Sequence, residues 1–252
     1  MGCEVLVKQW WIAVSMVGAC VVSGGCATGS LEPPQAKSVV LTQLPLRFGP
    51  ADKSLWEAVA LPGKLRSAFR VEQRGDRLGL KTESAGSVSL LRQRVQIEPA
   101  HLGRLVFEWQ VANLIEGADM TQRETEDSPA RLVLAFDGDR SRWSAKNAML
   151  SELTRALTGE DMPYATLMYV WSNQHPVGTV IVNPRTDRIR KIVVESGAGH
   201  LNQWQRYERN IAADFEKAFG EAPGALQGLA IMTDTDNTQG KTQAWYGEIR
   251  LD

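Results

Sequence analysis

Alternation of apolar and polar side chains is the feature that most constrains the fold of this chain. The segments RLVFEWQV (104–111) and ARLVLAF (130–136) place apolar residues at every second position, which is the period of a β-strand. Similar short runs recur along the chain, and Gly, Pro, Asn and Asp interrupt them at intervals of roughly ten residues. The pattern predicts an all-β protein, an antiparallel β-sandwich or jelly roll of about ten strands.

Two segments have the spacing of amphipathic helices instead. RWSAKNAMLSELTRALTG repeats apolar residues every three or four positions and ends at Gly159. AADFEKAFG predicts a shorter helix, with Phe215 and Phe219 four residues apart and Gly220 as its stop. Both helices are expected at the periphery of the sandwich, and the first is also consistent with a lid over a binding face.

The N-terminal segment predicts export. Lys8 is followed by an uncharged run over residues 10–22 that is too short to span a bilayer as a helix, so residues 1–25 are interpreted as a signal peptide. The small residues SGG before Cys26 resemble a bacterial lipobox, in which the cysteine receives a diacylglyceryl group. A second box ending at Cys20 is the alternative lipidation site.

The rest of the chain is consistent with a tethered envelope domain. All cysteines precede residue 27, so the exported part needs no disulfide. Residues 26–38 are predicted to be the lipidated cysteine and a Pro-containing tether, and residues 39–252 a single β-sandwich domain. Ala27 after Cys26 resembles the residue choice of lipoproteins sorted to the outer membrane. The lipid anchor is then the only membrane contact, and the domain faces the periplasm or the surface.

Charge and motifs argue against several functions. The 28 basic and 29 acidic residues leave a net charge of −1, and no basic block is present that could follow a phosphate backbone. Nucleic acid is therefore not expected as a partner. The G-x-S-x-G, H-E-x-x-H and Walker motifs are absent from the sequence, and no cysteine after Cys26 offers a nucleophile.

The segment GLAIMTDTDNT near the C-terminus is open to several interpretations. Asp234, Asp236 and Thr238 match a phosphatase nucleophile loop locally, but only fourteen residues follow Thr238, too few for the rest of such a site. An EF-hand is excluded because Gln239 and Trp245 replace its Gly and Glu. Three alternatives remain: a turn capped by its own Asx side chains, direct ligand contact, and a tentative calcium site of Asp234, Asp236 and Thr238 completed by other loops.

A second acidic loop and a tryptophan-containing loop complete the candidate site. GADMTQRETEDS contains several carboxylates just before a predicted strand, and YVWSNQHPVG combines an indole with amides, a mixture that stacks on sugars and hydrogen-bonds their hydroxyls. Core packing is the alternative role of Trp171. The predicted ligand-binding residues are Trp171, Asn173, Asp119, Asp127, Asp234 and Asp236.

Several of these segments carry a resemblance to a known family. YVWSNQHPVGTVIVNP, QWQRYERNIAADFEKAFGEAP and GLAIMTDTDNT resemble, in order and spacing, a bacterial family of exported proteins known as domain-of-unknown-function family 3047. The resemblance covers residues 65–251 and includes the GAD at 117–119, whereas the helix around 145–157 looks like an addition to a shorter connection. It implies a β-sandwich similar to carbohydrate-binding modules and brings no established activity.

Three functional hypotheses follow. The leading one is a lipid-anchored cell-envelope protein that binds a glycan or similar envelope ligand without chemistry, through the Trp171 loop and the acidic loops. The second is an enzyme acting on envelope polysaccharide with carboxylates among Asp119, Asp127, Asp234 and Asp236. The third is a structural or assembly lipoprotein. No cofactor is expected, except the tentative calcium.

Overall fold

The computed structural model describes residues 40–252. It contains two α-helices, α1 (Ala145–Thr158) and α2 (Ile211–Phe219), and thirteen strands. The strands are β1 (Leu46–Phe48), β2 (Glu57–Val59), β3 (Phe69–Arg74), β4 (Arg77–Ala85), β5 (Val88–Ile97), β6 (Arg104–Val111), β7 (Ser128–Phe136), β8 (Ala165–Ser172), β9 (Val180–Val182), β10 (Ile189–Ser196), β11 (Gln205–Asn210), β12 (Leu226–Asp234) and β13 (Lys241–Leu251).

The strands form two sheets. The six-stranded sheet has the order β11-β6-β13-β4-β3, with β1 also paired to β13, and the seven-stranded sheet has the order β2-β5-β12-β7-β8-β10-β9. Pairing is antiparallel except between β8 and β10, which are parallel. The prediction of an all-β sandwich is confirmed. Its estimate of about ten strands was low because β2 has only three residues and β11 (QRYERN) has a single apolar side chain, so neither shows a period of two.

The core lies between the sheets and is built from the alternating apolar positions. Phe107 on β6 stacks on Tyr169 of β8, with ring centroids 5.5 Å apart, and so connects the two sheets. Trp109, two residues further along β6, is 0 % exposed and meets Tyr246 of β13 edge-on at 6.4 Å. Burying each such ring contributes about 2 kcal/mol to stability.

The centre of the seven-stranded sheet is buried on its outer face as well. Leu167 and Tyr169 of β8 belong to the core between the sheets, whereas Met168 and Val170 belong to a second apolar cluster on the opposite face. Met120, from the connection between β6 and β7, is part of that second cluster. Charged residues on these strands are consequently enclosed, and each of them requires a partner.

Both predicted helices are present, and both begin and end as their sequences indicate. Ser144 caps α1, and Asn210 caps α2, through side-chain oxygens that accept backbone N–H groups of the first turn. Gly159 and Gly220 end the helices in the left-handed conformation, with φ of 76° and 71°. Each helix therefore has a capping side chain at its N-terminus and a glycine at its C-terminus.

Helix α1 does not pack as its apolar stripe suggests. Met149, Leu153 and Leu157 are 65 %, 54 % and 61 % exposed. The two buried residues of α1, Asn147 and Ser151, are instead polar, and Asn147 donates a hydrogen bond to Asp187 at 2.6 Å. Helix α1 is peripheral, as predicted, and it does not close over an apolar surface as a lid would.

The N-terminal predictions fall outside the described part of the chain. The signal peptide, the tether and both candidate lipidation sites, Cys26 and Cys20, precede residue 40. Within residues 40–252, no helix has the length and hydrophobicity needed to cross a bilayer.

Candidate functional site

The two acidic loops meet at one end of the sandwich. Asp127, the last residue before β7, reaches the turn between β12 and β13. Its Oδ2 accepts hydrogen bonds from the backbone N–H and the hydroxyl of Thr238, at 2.7 and 2.6 Å. Its Oδ1 accepts from the backbone N–H and the side-chain amide of Asn237, both at 3.2 Å. One buried carboxylate thus connects both loops through four donors.

The turn itself is also capped locally. Asp234 Oδ1 accepts the N–H of Asp236 at 3.3 Å, and Thr238 Oγ1 accepts the N–H of Gly240 at 3.2 Å. Gln239 adopts a φ of 57°, and its side chain donates to the carbonyl of Asp236 at 2.6 Å. The self-capped turn that the sequence suggested is therefore present, with Asp127 added from a distant loop.

Three carboxylates come together here: two members of the tentative calcium set and one from the other acidic loop. Oxygens of Asp127, Asp234 and Asp236 lie within 4.8 Å of one another, a spacing that a metal ion accommodates. Thr238, the third member of the tentative calcium set, donates its hydroxyl to Asp127. Two cations already face these acids: Arg131 lies 3.2 Å from Asp234, and Lys64 pairs with Asp236.

Asp234 has unusual acid–base properties in this setting. The residue is 6 % exposed. Burial raises the pKa of Asp234 from its ordinary value of 3.8 to about 7, and the nearby Asp127 and Glu126 act in the same direction, although Arg131 opposes them. A carboxyl that exchanges its proton near neutrality is a feature of catalytic acids as well as of buried structural pairs.

A buried ion cluster lies next to these acids, on the outer face of the seven-stranded sheet. Lys191 is 0 % exposed, and its Nζ contacts Glu126 at 2.6 Å and the carbonyl of Met120 at 3.2 Å. Arg185 contacts the other oxygen of Glu126 at 2.7 Å, and Asn183 donates to the same side chain. Burial lowers the pKa of Lys191 to about 8. The cluster anchors the loop before β7 to β10.

Asp119 lies in the same β6–β7 connection as Asp127 but belongs to a separate hydrogen-bonded group. It contacts His175 Nε2 at 2.9 Å and accepts from Gln174 at 3.3 Å. It also accepts the backbone N–H and hydroxyl of Thr121, at 2.9 and 2.7 Å. Desolvation opposes ionisation, but the hydrogen bonds from His175 and Thr121 outweigh it and lower the pKa of Asp119 to about 2. Asp119 is thus a partly exposed, firmly held carboxylate.

Trp171 is placed differently from the prediction, and ligand contact by Asn173 stays a prediction. Trp171 is 0 % exposed, and its indole N–H donates to the carbonyl of Gly197 at 3.1 Å. The prediction that it stacks on a ligand is wrong, because β8 is buried on both faces. Asn173 donates to the carbonyl of Ile115, which joins its loop to the β6–β7 connection; its Oδ1 is buried and has no partner within residues 40–252.

The sequence interpretation missed the cations of this site. Arg131 stands in ARLVLAF and Lys191 in IRKIVVE, each a charged residue among apolar neighbours. On a strand with one face in solvent, a charged residue among apolar neighbours points to water and does not indicate a buried site. The almost wholly apolar run ATLMYVW could have indicated these cations, because it is typical of a sheet that is buried on both faces. Charged residues on the neighbouring strands of such a sheet need partners.

The fold and these side chains define a class: a two-sheet β-sandwich with acidic loops joined at one end. The chain belongs to the family described as "Protein of unknown function (DUF3047)", which matches residues 54–250. The family resemblance seen in the sequence is confirmed. No curated protein matches the chain.

Several solved structures are similar in fold. They include the glycoside hydrolase domain of Endo-D, Spr0440, from Streptococcus pneumoniae R6 (11 % identity, 77 % of this chain and 21 % of that chain covered, TM-score 0.34). The xyloglucanase domain of NopAA from Sinorhizobium fredii, in complex with cellobiose, has 7 % identity, coverages of 81 % and 96 %, and a TM-score of 0.37. A loop-swap mutant of Xyn11A from Necallimastix patriciarum has 10 % identity, the same coverages and a TM-score of 0.32. These values carry no information on the ligand or reaction of this chain.

The raised pKa of Asp234 predicts how stability depends on pH. The Asp234 carboxyl keeps its proton up to about pH 7 in the folded state, whereas the unfolded chain releases it near pH 3.8. The contribution of the neutral carboxyl to the free energy of unfolding is therefore complete below pH 4 and is lost as pH rises through 7. Between pH 5 and 8, we expect wild type to lose about 2.6 kcal/mol of stability relative to Asp234→Asn, which has no titrating group at this position. Urea unfolding at both pH values measures the shift, and a constant difference would contradict the raised pKa.

Proposed function

We propose that this chain is an exported, lipid-anchored module that binds a glycan or a similarly polar component of the cell envelope without catalysing a reaction. The observation that carries the proposal is the partly exposed polar group of Asp119, Gln174 and His175 at the loop end. Its members are fixed by mutual hydrogen bonds before any ligand arrives. Such preorganised carboxylate, amide and imidazole groups suit the hydroxyls of a saccharide.

The remaining carboxylates favour a structural role over chemistry. Asp127 is 2 % exposed and its two oxygens accept four hydrogen bonds. Glu126 is 4 % exposed and is engaged by Lys191, Arg185 and Asn183. A nucleophile or general base must reach the substrate, and these groups are enclosed and engaged.

A glycan array probed with the full-length protein tests the proposal. We expect binding to a polysaccharide class of the envelope, lowered at least about tenfold in Asp119→Ala, because one charged hydrogen-bond acceptor is lost. Asp76→Ala is the matched control, since Asp76 has a side chain 90 % exposed and lies in the β3–β4 turn. The absence of any bound saccharide, or equal binding by Asp119→Ala, would refute the proposed site.

An enzyme acting on envelope polysaccharide is the second candidate, and Asp234 is the observation that favours it. A carboxyl with a pKa of about 7 beside a second carboxylate, Asp127, is a pairing used in glycoside cleavage. Turnover of an envelope polysaccharide extract that disappears in Asp234→Asn, with a cooperative unfolding transition retained in the variant, would support this candidate.

Calcium binding by Asp127, Asp234 and Asp236, called the acidic cluster below, is a further proposal. Lys64 and Arg131 occupy oxygens of Asp236 and Asp234, so a calcium ion at the three carboxylates competes with both cations. We expect a higher melting temperature in calcium than in chelator, and a larger increase in Lys64→Ala, which frees Asp236. If neither protein responds to calcium, the metal site does not exist.

Lipidation is proposed at Cys26. We expect Cys26→Ser to abolish incorporation of radiolabelled palmitate, because the thiol is the acceptor of the diacylglyceryl group. Cys3→Ser is the matched control and should label as wild type. Persistent labelling of Cys26→Ser would assign the modification to Cys20 instead.

A further inference from the structure

A cleft of about 490 Å³ opens at one edge of the sandwich. Strand β2 is the last strand of the seven-stranded sheet and β3 the last of the six-stranded sheet. Ala58 and Val59 of β2 line the cleft together with Phe69 of β3, so it lies where the edges of the two sheets adjoin. The acidic cluster does not line it, and the cleft is therefore a separate site from the loop end.

The interior of the cleft is apolar and continuous with the core. Trp56, Phe69 and Leu91 line it and also belong to the core cluster between the sheets, with exposures of 8 %, 7 % and 6 %. Leu90 and Val59 add apolar surface that is only half-buried. An apolar group placed here loses contact with water at about 25 cal/mol per Å².

The polar part of the lining has one sign of charge. Lys53 and Arg66 line the cleft, are exposed, and form no ion pair with any acid in residues 40–252. This distinguishes them from nearby cations, since Lys64 pairs with Asp236 and Arg92 with Glu57. No carboxylate lines the cleft. Charge complementarity thus favours an anion.

One side chain of the lining also has an unused donor. The indole Nε1 of Trp56 is buried and has no hydrogen-bond partner in the described part of the chain. A buried N–H without an acceptor costs about 1–3 kcal/mol. The neighbouring hydroxyl of Ser89 is already used, since it accepts the backbone N–H of Ser67 at 2.7 Å.

We propose that this edge cleft binds an amphiphilic anion. The apolar part of the ligand lies against Phe69, Leu91 and Trp56, and its carboxylate or phosphate group is held by Lys53 and Arg66. The site uses neither the polar group of Asp119, Gln174 and His175 nor the acidic cluster. It is therefore independent of the proposed glycan binding.

Calorimetric titration of the full-length protein tests the proposal with ligands that share one alkyl chain. Octanoate and octyl phosphate, both below their critical micelle concentrations, are expected to bind at one site, and the stronger of the two identifies the head group. 1-Octanol lacks the charge and inorganic phosphate lacks the chain, so each should bind at least about tenfold more weakly. Equal binding of 1-octanol would overturn the role of the cations, and no binding of either anion would overturn the site.

Variants of the lining separate the two parts of the site. Lys53→Ala and Arg66→Ala should each weaken octanoate about tenfold. Arg206→Ala should have no effect, since Arg206 is an exposed cation on β11, at the other end of the six-stranded sheet. Ala58→Trp should abolish binding by filling the cleft; if it fails to fold, the double variant Lys53→Ala/Arg66→Ala gives the same test. Undiminished binding in the charge variants would refute the proposal.

Discussion

Replacing Asp127 by alanine is expected to lower the free energy of unfolding by about 3 kcal/mol or more. The variant removes the acceptor of four hydrogen bonds, two of them from backbone N–H groups of Asn237 and Thr238 that have no other side-chain acceptor in the described structure. It also leaves Arg131 and Lys64 facing one carboxylate fewer. Urea unfolding, followed by tryptophan fluorescence, measures the loss.

A matched control distinguishes the hydrogen bonds between Asp127 and the β12–β13 turn from ordinary turn capping. Asp139 caps a short exposed turn by accepting the N–H and hydroxyl of Ser141, at 3.0 and 2.6 Å. Asp139→Ala removes a similar local bond set without connecting two loops, so its effect should be much smaller. Equal losses in the two variants would show that the bonds between Asp127 and the β12–β13 turn contribute nothing beyond local capping.

Replacing Lys191 by methionine is expected to destabilise the protein by about 3–5 kcal/mol. The substitution retains the volume of the side chain but removes the ammonium group that contacts Glu126 at 2.6 Å, inside a region where neither residue is more than 4 % exposed. A buried charge that loses one partner keeps its desolvation cost. Lys146→Met, at an exposed position of α1, is the control and should change stability by less than about 0.5 kcal/mol.

The double variant Glu126→Gln/Lys191→Met tests the cause of this loss. If the loss arises because the buried Glu126 carboxylate keeps Arg185 and Asn183 but loses the Lys191 ammonium, the double variant should be more stable than the sum of the single effects indicates. Additive effects would mean that Lys191 contributes through packing alone, and the ion cluster would then not anchor the loop before β7.

The fold was predictable because its signals are local. The alternation in RLVFEWQV and ARLVLAF specified strands, and the three- or four-residue apolar spacing that ends at Gly159 specified the helix α1. The sequence did not reveal that the apolar stripe of α1 faces solvent, because periodicity reports that one face is apolar and not what lies against it. The parallel pairing of β8 with β10 was also beyond reach, since pairing depends on contacts distant in sequence.

The candidate site was predictable only in part, for the same physical reason. The capping of the turn by Asp234 and Thr238 is local and was anticipated. The contact of Asp127 with Thr238 joins residues 111 positions apart, and the pairing of Arg131 with Asp234 crosses from β7 to β12. Trp171 failed as a ligand contact because polar neighbours in sequence, such as Asn173, say nothing about the burial of the strand on which Trp171 lies.

Co-sedimentation of the full-length protein with insoluble envelope polysaccharide, combined with a count of reducing ends in the supernatant, tests the proposed function most directly. Binding without chemistry predicts that the protein sediments with the polysaccharide, that reducing ends stay at the level of the protein-free control, and that Asp234→Asn behaves as wild type. Reducing ends that accumulate with wild type and not with Asp234→Asn would contradict the proposal and assign Asp234 to catalysis.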